Sequence, residues 1–279
     1  MSEAVTYVVG AVEVALVGAG AFLLWRRVLC PEARASRPSP ALPFSGTPLI
    51  DVFMFLFLVL TATFTGSIVA AQIAAALAGS RTGGESAMIV NGMGAQLGMM
   101  AGALLFRWRV ERRGGCAGGF SAAVVREGFA IFLICLPVIV VVGSLWEQTL
   151  KLLGLPVQKQ DLVTLFANAG SPWVLAGMIT LAVVIAPVAE ELVFRAGLFR
   201  LLRGRVPRGV ALLLPATVFA ALHVSWSTLQ GLVSLAPLLA LAVVLSLAYE
   251  RSGRIGTVVV AHGCFNLNTI VVILSGLDP

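Results

Sequence analysis

Apolar residues run along this chain in eight stretches separated by short polar segments, covering residues 5–25, 50–78, 87–106, 129–146, 173–194, 209–225, 231–249 and 256–275. A helix needs about 20 apolar residues to cross a hydrocarbon core of about 30 Å. The second stretch is long enough to tilt, and the sixth, 209–225, is the shortest. The alternation expected of barrel strands is absent, and lipid satisfies no backbone hydrogen bond, so each stretch is predicted to be a helix. The predicted fold is all-α, a polytopic membrane protein of about eight transmembrane helices.

Composition agrees, because 59% apolar and 11% charged residues with a mean hydropathy of +0.99 fall outside the range of soluble domains. The net charge of +6 raises the question of nucleic acid. The arginines are dispersed among loops without interleaved aromatics, so anionic lipid and the retention of positive charge in the cytoplasm explain them better. With the N-terminus outside, only Arg81, Lys151 and Lys159 fall in external loops, and the other 16 of the 19 basic residues are cytoplasmic. Eight crossings with both termini outside satisfy this split, and one crossing more or fewer spoils it. The opening MSEAVTY has no basic residue and the first apolar run ends at Arg26 and Arg27, so that run is expected to stay as a span rather than leave as a signal peptide. Arginine outnumbers lysine 17 to 2, a bias assigned to a GC-rich bacterial genome, which makes the bacterial inner membrane the expected location.

The chain is expected to divide into N-terminal helices and loops, 1–128, and a second part, 129–279. Segment 30–48 holds five prolines and reads as a cytoplasmic loop without a regular element. Segment 107–128 reads as a basic loop containing Gly114, Gly115, Gly118 and Gly119. No repeat of the transporter type is present. Cys30, Cys116, Cys135 and Cys264 show no metal spacing and read as packing residues. Glu13, Asn91 and Gln96 in the first part read as structural hydrogen-bonding residues and are left outside the site.

The chemistry concentrates in three later stretches. The two histidines of the chain, His223 and His262, each sit in an apolar span, where a titratable group marks a functional site by default. APVAEELVFRAGLFR adds Glu190 and Glu191, with Arg195 four residues after Glu191 in the order that favours an ion pair. Glu190 is then turned about 100° away, available for other chemistry. Pro187 is expected to kink this helix. Glu190 lies 14 residues before Gly204 and His223 lies 14 after Gly209, about 21 Å of helix from the turn in each case, so the two can share a level. Phe219 precedes His223 by four residues and Asn266 follows His262 by four, so each pair shares a face.

In their order, EExxxR at Glu190–Arg195, FxxxH at Phe219–His223 and HxxxN at His262–Asn266 resemble the CPBP intramembrane proteases, which include the CAAX prenyl endopeptidases and bacteriocin-processing or immunity proteins. The resemblance covers about 173–275, with weaker support back to 129. It implies a CPBP-type helical core and an intramembrane endopeptidase acting on a membrane-associated protein or peptide. Glu190 and His223 would activate a water, and His262 and Asn266 would hold the oxyanion. Arg195 would brace Glu191, and Phe219 would pack beside His223. It implies no cofactor. Zinc held by the two histidines and the glutamates is the chemical alternative, and a non-catalytic scaffold or immunity protein of the same fold is the alternative of another class.

Overall fold

The computed structural model describes residues 3–36, 39–42, 46, 48–78, 84–110, 120–155, 157, 166, 171–226 and 229–277, and every regular element among them is helical. Among the described residues seven helices are long and apolar enough to cross a membrane: Glu3–Leu29, Leu49–Ala76, Ser86–Arg109, Ala122–Leu152, Pro172–Arg203, Gly231–Ser252 and Ile255–Ser275. The remaining predicted stretch is also a helix, Arg208–His223. Its 16 residues rise about 24 Å, less than the hydrocarbon core, because Pro207 precedes it and the chain leaves helical geometry after His223. The protein is thus an all-α polytopic membrane protein.

We number the helices α1 (Glu3–Leu24), α2 (Pro31–Ala35), α3 (Leu49–Ala78), α4 (Gly84–Val110), α5 (Ala122–Leu152), α6 (Pro172–Thr180), α7 (Ala186–Val193), α8 (Arg200–Arg203), α9 (Arg208–His223), α10 (Leu235–Ser252) and α11 (Ile255–Ser275). Short α2 lies where segment 30–48 was expected to be wholly irregular. Proline at the first helical position gives up an N–H that would have had no helical partner, and the Cys30 sulfur caps the turn by accepting from the Ala33 N–H at 3.4 Å. Arg37, Arg81, Arg112, Arg113, Lys159, Cys116 and the four glycines Gly114, Gly115, Gly118 and Gly119 lie outside the described residues.

The chain forms two compact units, one of residues 1–43, 120–167 and 212–279 and the other of residues 44–119 and 168–211. Both draw on residues before and after 128, so the sequence division at 128/129 does not coincide with them.

In the second unit α3 and α4 pack antiparallel through a stripe of small residues. Gly66 faces Gly94, Gly98 faces Ala62, and Gly102 faces Leu58 and Val59, so the register runs in opposite senses along the two helices. Small residues one turn apart let the backbones approach where lipid supplies no hydrophobic drive toward association. A Cβ on Gly102 would lie 2.7 Å from the Leu58 carbonyl oxygen. The opposite face of α4 meets the rod 172–203, with Ile89 near Gly177 and Gly92 near Leu181, and these two elements run parallel.

The first unit holds α1, α5, α10, α11 and α9 from Leu212 onward. Gly128 of α5 sits against Thr257 and Val260 of α11, and Gly20 of α1 against Leu133 and Pro137 of α5. Thr6 of α1 donates to the Ser275 carbonyl at 2.9 Å. Asn268 of α11 donates to Glu13 of α1 at 3.1 Å, so the carboxylate of the first span has a structural partner. The Trp146 indole N–H of α5 donates to the Leu232 carbonyl at 2.7 Å. At the end of α10, Gly253 takes the left-handed φ of 65° that a helix stop requires. There the Leu42 N–H donates to the Glu250 carbonyl at 3.3 Å, one of the carbonyls a helix end leaves without an intrahelical partner.

Candidate active site

The second unit carries the carboxylates. Residues 172–203 are helical throughout, but two turns widen to π geometry, Leu181–Ile185 and Phe194–Phe199, and α7 lies between them. The first is explained by Pro187, whose ring needs room against the carbonyl four residues back and which has no N–H to give it. The preceding turn widens, and the Ala186 N–H reaches the Leu181 carbonyl. The second surrounds Gly197, whose backbone lies against the Phe55 ring. Phe55 is itself held edge-on to Phe106, with centroids 5.2 Å apart. Any side chain at 197 would displace that aromatic pair. π turns of this kind occur preferentially at functional sites.

Both glutamates are buried on α7, Glu190 6% and Glu191 0% exposed, and Arg195 is 1% exposed. Arg195 Nη1 donates to Glu191 Oε1 at 2.8 Å. The i,i+4 pair expected from the spacing is therefore present and buried, which a solvated charge cluster at a helix end would not be. Glu190 takes a separate partner: Gln96 of α4 donates from Nε2 to Glu190 Oε1 at 3.1 Å. The sequence alone places Gln96 outside the site. The signal that could have found it is positional, since Ile89, Gly92 and Gln96 fall at i, i+3 and i+7, a single helix face, opposite the Gly94, Gly98 and Gly102 stripe. A polar amide at mid-span on a face that is not committed to α3 has to meet something polar.

The first unit carries the histidines. Phe219 is 1% exposed, and its ring contacts both imidazoles. It is tilted by 32° over His223 with centroids 4.3 Å apart, and meets His262 edge to face at 6.0 Å. His223 is exposed at the end of α9, and its Nδ1 lies 2.8 Å from the Phe219 carbonyl oxygen. A carbonyl can only accept, so Nδ1 carries the proton and, in the neutral ring, Nε2 has the lone pair a base requires. His262 is 3% exposed and shares one face of α11 with half-buried Asn266. Cys264, two residues on, is a free thiol.

Residues 172–268 match the family described as type II CAAX prenyl endopeptidase Rce1-like. The matched stretch encloses all three motifs, from Glu190 to Asn266, and supports the CPBP and CAAX protease family for this chain. Intramembrane proteolysis of CAAX type is the general activity that family implies, with a membrane-associated peptide as substrate. No curated protein and no solved structure matches the chain.

Proposed function

We propose that the protein is an intramembrane endopeptidase in which Glu190 and His223 act on one water. The reading rests on the family match, which spans every motif that carries chemistry, and is supported by the state of the groups within each unit. A carboxylate away from bulk water makes an effective general base, and an imidazole whose Nδ1–H is engaged by a carbonyl offers Nε2 to a proton. In the reaction the water gives a proton to this pair as its oxygen bonds to the peptide carbonyl carbon. Donors on His262 and Asn266 stabilise the oxyanion. The tetrahedral adduct then collapses, the C–N bond breaks, and the proton goes to the leaving nitrogen. Arg195 holds Glu191, and Phe219 fixes the planes of both imidazoles.

The reaction is read as metal-independent, and chelation that abolishes cleavage would replace that reading with the zinc alternative. The substrate is read as a bacterial membrane-associated protein or peptide cut near its C-terminus. The location is the inner membrane with both termini outside, an arrangement that requires α9 to carry the chain back across. Helix directions within each unit fit that order: α11 runs antiparallel to α1 and parallel to α5, and the rod 172–203 runs parallel to α4.

The test compares membranes from cells carrying the wild type and Glu190→Ala, with both proteins quantified and C-terminal peptides measured. Termini that depend on Glu190 are expected. Identical termini, with a phenotype seen only on deletion of the whole protein, would replace the protease by a scaffold of the same fold.

A further inference from the structure

We propose that Gln96 is a positioning residue of the reaction, holding Glu190 in place through Nε2 and orienting the attacking water through Oε1. The inference rests on Glu190 being the base and extends the site to a helix outside the matched stretch 172–268.

Two observations carry it. The first is the 3.1 Å hydrogen bond from Gln96 Nε2 to Glu190 Oε1. An ionised carboxylate only accepts, so the amide must present its nitrogen to Glu190 and its oxygen elsewhere. The second is that Gln96 Oε1 is buried and has no hydrogen-bond partner among the described residues. A buried amide oxygen without a partner costs free energy that a packing residue has no reason to incur, and such a group calls for an explanation.

The chemistry supplies one. A water that donates one hydrogen to the Glu190 and His223 pair and the other to Gln96 Oε1 has both hydrogens committed, so its lone pair is left for the substrate carbonyl. The pair takes the proton as the C–O bond forms and returns it to the nitrogen as the C–N bond breaks. Gln96 gains and loses no proton. A single amide therefore restrains the base and the nucleophile together, and orientation of this kind raises the rate without strengthening substrate binding.

The neighbouring architecture suits the role. Gly92, one turn before Gln96, lies against Leu181, and the close packing of α3 on α4 fixes the other face of the helix. Gln96 is thus delivered from a rigid element, as a positioning group must be.

The test uses the full chain in lipid nanodiscs and a fluorogenic peptide bearing the C-terminal sequence whose cleavage depends on Glu190. Gln96→Met keeps the length and apolar volume of the side chain and removes both amide groups. We expect kcat to fall about 10- to 100-fold with KM within about twofold of the wild type. Gln96→Ala is the second variant and is expected to show the same split. Full kcat in either folded variant, beside an inactive Glu190→Ala, overturns the role of Gln96 and leaves Glu190 as the base. A rise in KM at unchanged kcat also overturns it, since that is what a binding or packing residue would give. Cleavage retained by Glu190→Ala sinks the parent reading instead.

Discussion

Replacing Gly102 by alanine tests whether the small-residue stripe sets the spacing of α3 and α4. The added Cβ would stand 2.7 Å from the Leu58 carbonyl oxygen and 2.8 Å from Val59 Cα, where ordinary contact begins at 3.4 Å. Both are backbone atoms, so no rotamer change relieves the clash and the helices must separate by about 0.7 Å. A gap of about 0.5–1 Å forfeits a quarter to a half of the dispersion energy of the atoms facing it. Overpacking of this kind costs about 1–3 kcal/mol, a drop of about 5- to 150-fold in the folding equilibrium. Gly18 of α1 is the control, because a Cβ there meets nothing within 4 Å and alanine is the better helix former by about 1 kcal/mol. Unfolding by sodium dodecyl sulfate in mixed micelles, followed by tryptophan fluorescence, measures both. We expect Gly102→Ala to be less stable than the wild type and Gly18→Ala to be equal or more stable. Equal stability of the two variants would refute the argument, since the helix-forming gain is the same at both positions and only the contact differs.

Further outcomes follow from the same geometry. Glu191→Leu or Arg195→Met alone leaves a buried charge without its ion-pair partner and should cost about 3–5 kcal/mol, whereas the double variant should recover most of the loss; a double variant as unstable as the sum of the singles would show that the pair is not the dominant contact. Phe219→Leu removes the ring that meets both imidazoles and should lower stability by about 1 kcal/mol or more, with cleavage of the Glu190-dependent peptide reduced; unchanged values in both assays would remove Phe219 from the site. For the topology, Glu3→Cys should react with an impermeant maleimide from outside intact cells and Arg205→Cys only after permeabilisation, and the reverse labelling would invert the orientation.

Much of the protein could be read from one dimension. The apolar runs specify helices because a backbone in lipid has no other way to satisfy its hydrogen bonds, and seven of the eight are long enough to cross. Glu191 and Arg195 form the pair their spacing calls for, because i,i+4 neighbours share a face whatever surrounds the helix. The two π turns were less legible. Pro187 announced a disturbance, but the form it takes, a widened turn over Leu181–Ile185, is seen only in the structure. The second surrounds Gly197, which lies against Phe55, more than a hundred residues earlier in the chain.

What the sequence by itself determined was thus the local chemistry: which residues are helical, which pairs share a face, and which groups are too polar to be idle in an apolar span. What only the tertiary structure decided was partnership across helices. Gln96 looked like one more polar residue among glycines until α4 was set beside α7, and Glu13, a structural hydrogen-bonding residue by its sequence, has a partner only once Asn268 of the last helix reaches it. Helix periodicity is a short-range property of the backbone, written in a few consecutive residues. The meeting of Gln96 with Glu190 is a long-range contact made where α4 packs on the rod 172–203, and no single stretch of sequence contains it.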